Sequence, residues 1–358
     1  MADLARFRFW QMSCGGPVGD WRGLVTGYMA SGQKGCADGA GRPIACPGSG
    51  QDAEYRRGIP WPSPRFWVMG PVVQDRLTGL DWSRHAGLAE FPLTWPEALG
   101  FIGQMNGVCA LGHADWRLPN RRELRSLISH ETRRPALPAG HPFTDVFNGW
   151  YWSSTTAAMA PAYAWYVSMD GGRMFFGGKD QSFMVWPVRG TSRVLPVTGQ
   201  THCYADSGVI ECAGTRQDGE MRMGAGWPHP RFVCNGDVVV DRLTRLRWKM
   251  VADAAGTAVD WMEALATVRR LNGGPERGWR LPNINELESL VDCDSHHPAL
   301  PRAHPFRSVR EVYWSSTTSM FEPDWAWALY LDSGGIGVGQ KTQARFWVWA
   351  VSDAFPDE

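Results

Sequence analysis

One passage of this chain is written twice. Trp116-Arg-Leu-Pro-Asn120, followed by Tyr151-Trp-Ser-Ser-Thr-Thr156, returns as Trp279-Arg-Leu-Pro-Asn283 and Tyr313-Trp-Ser-Ser-Thr-Thr318, 163 and 162 residues later. Arg65-Phe66 returns as Arg231-Phe232, Asp75-Arg-Leu-Thr78 as Asp241-Arg-Leu-Thr244, and Trp82 as Trp248. A period of that length is a domain rather than a solenoid unit. The chain has 358 residues, 44% of them hydrophobic, enough to bury two ordinary cores. The expected domains are residues 28–192 and 193–352, with an N-terminal extension over 1–27 and a tail over 353–358.

Each repeat reads as a Gly/Pro-rich lead, a strand, two helices and a strand-rich end, which is α+β rather than alternating βαβ. Thr94-Trp-Pro-Glu97 and Asp260-Trp-Met-Glu263 place a capping oxygen three residues before a glutamate, as do Asn120-Arg-Arg-Glu123 and Asn283-Ile-Asn-Glu286. These are helix starts. Capping also accounts for the recurrence of Glu123 and Glu286, so neither needs a catalytic role. His141 and His304, each in His-Pro-Phe, recur without a second ligand at metal spacing and read as turn residues. The end of the first repeat alternates as a hairpin and a closing strand over 183–188, with Trp165, Val167 and Met169 on one face and Tyr166 and Ser168 on the other. The linker between the copies, 190–198, is short enough that the domains should touch.

Lys+Arg and Asp+Glu both number 36, so no global charge draws the chain to nucleic acid, and no apolar run is long enough for membrane insertion. Cys36 with Cys46, and Cys203 with Cys212, sit at matching places around Gly-containing turns and read as short disulfide loops; a zinc site would need further ligands. Bridges of this kind imply an oxidising, secreted or cell-surface setting, with the export signal absent from the chain shown. The other four cysteines lack counterparts. Pairing within a repeat gives Cys14 with Cys109 and Cys234 with Cys293, and free buried thiols are the alternative. Residues 1–27 have no partner in the second copy, and Arg6-Phe-Arg-Phe-Trp10 alternates as an added edge strand would.

At the Trp-Arg-Leu-Pro-Asn and Tyr-Trp-Ser-Ser-Thr-Thr passages and at Val185-Trp-Pro-Val-Arg189 the chain resembles the C-terminal domain of bacterial collagen-like adhesins. Thr198-Gly-Gln200, Cys203, Cys212 and Gln217-Asp-Gly219 are similar to the opening of that family. The likeness runs from Ser31 to Val351, twice. It implies a C-type-lectin-like fold of the formylglycine-generating-enzyme variety: two helices on a twisted, mostly antiparallel sheet. It also implies binding as the function. Neither copy has the family's cysteine just after Trp82 or Trp248, the enzyme relatives' copper and iron sites have no match, and no cofactor is expected.

Recurrent tryptophans read as scaffold, so positions that differ between copies near the final strands are the ligand-binding candidates. They are Tyr163, Tyr166, Ser168, Arg173 and Phe175 in the first repeat and Asp324, Trp325, Tyr330 and Gln340 in the second, to which Lys179 and Lys341, a lysine shared by both copies, are added. Drift on an exposed face would leave the same pattern. The expected function is adhesin or lectin-like recognition of a glycan or protein, without catalysis, two copies raising avidity if both bind. A structural subunit that joins copies of itself or other chains is the alternative, and a formylglycine-generating-type enzyme a third.

Overall fold

The computed structural model describes residues 27–273 and 277–353. The first lead carries β1 (Cys36–Ala37), β2 (Pro43–Ile44) and α1 (Asp52–Tyr55). The first body follows with β3 (Phe66–Met69), β4 (Val72–Asp75), β5 (Asp81–Ser83), α2 (Trp95–Gly107), α3 (Arg121–Ser126), β6 (Trp150–Thr156), β7 (Tyr163–Ser168), β8 (Met174–Gly178) and β9 (Val188–Arg189). The second lead has β10 (Cys203–Ala205), β11 (Gly208–Ile210) and α4 (Asp218–Met221). The second body repeats the first: β12 (Phe232–Asn235), β13 (Val238–Asp241), β14 (Leu246–Lys249), α5 (Trp261–Leu271), α6 (Ile284–Ser289), β15 (Val312–Thr318), β16 (Trp325–Tyr330), β17 (Gly335–Gln340) and β18 (Val351–Asp353). The result is a mixed α+β molecule of two repeated halves with few helices and antiparallel sheets.

All four main helices begin at the capping residues read from sequence. Glu123 also forms a buried bidentate pair with Arg117 of the first Trp-Arg-Leu-Pro-Asn passage, and Glu286 does the same with Arg280. The recurring Arg65 and Asp75 meet at 2.8–3.0 Å, where Arg65 also reaches the Ser126 carbonyl, and Arg231, Asp241 and Ser289 repeat the arrangement. Along β7 and just beyond it Trp165, Val167 and Met169 are buried and Tyr166 is half-exposed as expected, but Ser168, expected on the open face with Tyr166, is buried as well. The closing strand over 183–188 is not continuous. It touches β6 only through isolated bridges, and β9 pairs with β5 over two residues after Pro187, which has no N–H to donate.

The bodies share one six-stranded sheet in the order β15-β16-β17-β8-β7-β6. They join where Ile336 pairs with Met174, residues at the same place in the two copies, so a pseudo-two-fold axis passes through that pair. Two separate cores were expected; the largest apolar cluster instead draws on both bodies, with Leu124, Leu127, Trp165 and Val167 beside Ile284, Leu287, Trp327 and Leu329. Smaller clusters under α2 and α5 cover the opposite face of each half.

The leads cross. Asp52 accepts a hydrogen bond from Thr317 at 2.7 Å, Gln51 one from Thr318 at 3.0 Å, and Gln33 pairs with the Thr318 backbone. In the mirror arrangement Asp218 accepts from Thr155, Gln217 from Thr156, and Gln200 pairs with the Thr156 backbone. The Thr-Thr end of each Tyr-Trp-Ser-Ser-Thr-Thr strand is thus the dock for the other copy's lead. In space each lead clips the opposite body.

Candidate ligand-binding cleft

The β7–β8 hairpin turns tightly through Gly171 and Gly172, both at φ near +85°, a region glycine enters at little cost. The turn brings Ser168, Asp170 and Arg173 together: Ser168 Oγ accepts from the Asp170 N–H at 3.2 Å and donates to its carbonyl at 3.1 Å. Beside it the loop before β6 is fixed by Tyr151, whose hydroxyl accepts the Phe147 N–H at 2.8 Å. Burial pushes the Tyr151 phenol up to about 12, so it remains a neutral hydroxyl.

Between hairpin and loop lies a cleft of about 480 Å³, walled by Phe147, Trp150, Tyr166 and Phe175 and closed on one side by Phe321 from the second body. Phe147 and Trp150 are 54% and 50% exposed, so large aromatic faces are open to a ligand. Trp150 and Tyr166 lie 5.7 Å apart at 43°, and Tyr166 is braced by Phe183 at 5.0 Å. The charges at the rim come in pairs: Arg134 with Asp170 at 2.8 Å and Arg173 with Glu322 at 3.1 Å, while Arg134 also lies over the Phe321 ring. Rigid aromatic walls with hydroxyl, carboxylate and guanidinium groups at one rim suit an amphipathic ligand: a sugar ring, or a side chain with an apolar body and a polar end.

Of the sequence candidates, Tyr166, Ser168, Arg173 and Phe175 line this cleft, and Tyr330 stands beside it, 6.1 Å from Phe175. The others lie elsewhere. Tyr163 is exposed at the far end of β7; Asp324 lies in the turn against which the first lead's Gly41 packs, and Trp325 and Gln340 pair with each other at the adjoining ends of β16 and β17. Lys179 and Lys341 are not ligand residues, being buried under the leads. Lys341 donates to the carbonyls of Ala37 and Asp38 and to Thr318, Lys179 to the Tyr204 carbonyl, and each lies over a tryptophan, Trp261 or Trp95. Sequence reasoning missed Phe147, Trp150 and Asp170, while Phe321 falls in the stretch 321–325 that differs between the copies without being among the named candidates. For Trp150 a signal existed, since it precedes the repeated strand where the second copy has Val312.

The second body does not repeat the cleft. Val309, Val312, Ala328 and Gly337 replace Phe147, Trp150, Tyr166 and Phe175, and Arg310, next to Val309, pairs with Asp253 and lies over the Trp347 ring.

The disulfides Cys36–Cys46 and Cys203–Cys212 form. Cys109 is disulfide-bonded, and Cys14, expected as its partner, lies outside the described residues, as does the Arg6–Trp10 segment. The expected Cys234–Cys293 bridge does not form. Cys234 is exposed on β12, whereas Cys293 lies inside the joint core, where its N–H donates to Thr198 and burial pushes the thiol up to about 12. No group of three or more His, Cys, Asp or Glu among the described residues is placed to hold a metal ion. No helix among them is long and apolar enough to cross a membrane.

A family model described as the Lcl C-terminal domain matches residues 71–189 and again 237–352, together well over half of the chain. Both disulfide leads fall outside the matched stretches. No curated protein matches.

Proposed function

The chain belongs to the Lcl C-terminal domain family, which it carries twice, and from that premise we propose a secreted or surface-displayed binding protein of the adhesin or lectin-like kind. Its ligand is a glycan or a protein side-chain cluster, held in the cleft between the β7–β8 hairpin and Phe321. The observation that carries this reading is the open aromatic wall of Phe147, Trp150, Tyr166 and Phe175 beside Ser168, Asp170 and Arg173. Two disulfides favour an oxidising setting outside the cytoplasm. Each body is read as a C-type-lectin-like module, after the order of its strands and two helices. The role is binding rather than catalysis: Cys293 is buried with a raised thiol, and Cys234 sits on β12 rather than among the residues that line the cleft.

The test is a glycan and glycosaminoglycan array probed with the intact protein, alongside Trp150→Ala and Tyr166→Ala. Selective binding that weakens about tenfold or more in each variant supports the cleft, such a loss being typical of an aromatic anchor. Binding indifferent to both variants sinks it. A second reading, a structural subunit, is favoured by one observation: Trp67, Val68 and Met69 on the edge strand β3 are 45–50% exposed. Light scattering of an array-silent protein would show self-association in that case.

A further inference from the structure

The two bodies meet through positions that are equivalent in sequence and unlike in chemistry. Arg125 on α3 and Glu288 on α6 occupy the same place in the two copies, and they face each other at 2.8 Å with side chains 2% and 11% exposed. Arg125 also donates to Asn285 at 3.2 Å, and Arg122, the counterpart of Asn285, donates to the Val291 carbonyl at 2.6 Å. Arg121 reaches the Gly334 carbonyl, where the chain turns into β17. On the sheet, the Phe175 ring lies over its own counterpart, Gly337, so closely that an added Cβ there would stand 2.8 Å from the ring.

In each of these contacts the first body supplies a cation or a ring, and the second an acceptor or the room for the ring. A true two-fold axis would set residues beside it, such as Arg125 and Phe175, against copies of themselves. Two first bodies would bring Arg125 against Arg125 and Phe175 against Phe175. Two second bodies would bring Glu288 against Glu288 and leave the surface over Gly337 bare. Like charges so deeply buried reject such pairings, and the glycine admits only a partner with a ring to place there.

We infer that the two repeats are a matched pair: the first body's face, with Arg121, Arg122, Arg125 and Phe175, is a docking surface specific for the second body's face, with Asn285, Glu288, Gly334 and Gly337. Within one chain each face finds its complement, so this surface closes on itself and does not join like to like. Any self-association of the intact protein must use another surface.

The test uses the full chain. Glu288→Arg sets arginine against arginine, Arg125→Glu sets glutamate against glutamate, and the double exchange restores opposite charges in reverse. Each single change should lower the thermal midpoint by on the order of 5–10 °C, and the exchange should recover at least half of that. Glu288→Gln is the milder companion should a reversal fail to fold, expected to lose a few degrees. Reversal of Glu263, which pairs with Arg270 on the surface of α5, is the control and should move the midpoint by less than about 2 °C. Single changes no larger than the control, or an exchange without recovery, would overturn the matched pair. A protease site placed within 190–197 provides an independent reading: the nicked fragments should remain together as one-to-one pairs in native mass spectrometry, and separation or like-with-like pairs would refute it.

Discussion

Asp52 and Asp218 are carboxylates of the leads enclosed within the opposite bodies, each with one oxygen hydrogen-bonded to threonine and the other without a partner. Burial pushes both from 3.8 up to about 6. The folded state therefore holds protons that the unfolded chain gives up, and the stability these groups contribute is complete below about pH 4 and lost as pH rises through about 6. Lys179 and Lys341 run the other way. Burial lowers them from 10.5 to about 8 and about 7, so their contribution is complete above about pH 10.5 and lost as pH falls through those values. Across these four groups the thermal midpoint should fall between pH 4 and 6 and climb between pH 7 and 10. Asp52→Asn with Asp218→Asn should flatten the first limb, an effect on the order of 2 kcal/mol. Lys341→Met should flatten the second and destabilise by about 1–3 kcal/mol, because the Ala37 and Asp38 carbonyls lose a donor. Melting curves across the pH range would check both. The sequence shows that these lysines sit beside the final strands, but not that their acceptors are carbonyls of the leads, 304 residues away for Lys341 and 25 for Lys179, which is why they looked like ligand residues.

At the scale of elements, the leads are the parts whose roles were least visible. Short disulfide loops followed by a Gln-Asp helix start are local patterns, and the bridges were readable for that reason. What the loops rest on is not local: α1 packs on β15 and α4 on β6, each in the other repeat. Opening Cys36–Cys46 by a double Cys→Ser change should therefore loosen the second body more than the first. Amide exchange should rise over 315–341 while 151–179 stays protected, and stability should fall by about 2–3 kcal/mol. Exchange rising in the first body alone would contradict the crossing. The main helices began where their caps predicted because an N-cap is fixed by neighbours three residues away. The strand over 183–188 was misjudged because Pro187 and the junction with β5 interrupt a pattern that is apolar throughout.

For the molecule as a whole, duplication was the clearest message in the sequence, and it fixed the order of elements in both halves. The shared sheet and the merged core were hidden, because the pairing of Met174 with Ile336 involves side chains that either arrangement would bury. The cleft was legible only as a cluster of differences between copies; its second wall, Phe321, belongs to the other repeat and comes within reach only when the halves are docked. Two repeats suggested two sites and avidity. The geometry supports one, since Val309, Val312, Ala328 and Gly337 leave the second body without the aromatic wall. Titration calorimetry with any ligand found on the array should give one site per chain, and Trp150→Ala should abolish it rather than halve it. A stoichiometry of two would restore the avidity reading.

The crossing of the leads also sets a timetable for the chain as it is made. The first body is complete in sequence well before α4, the helix that clips it, leaves the ribosome, and the first lead has no dock until Thr317, Thr318 and Lys341 follow, 265 residues after Asp52 in the case of Thr317. The two clips therefore close at different times: the second lead follows the first body directly and meets Thr155 and Thr156 across 44 to 63 residues, whereas the first lead waits for strands of the second body. Contacts between distant stretches of chain close late and slowly, so the nascent polypeptide carries the first lead unclipped until Thr317, Thr318 and Lys341 have been made.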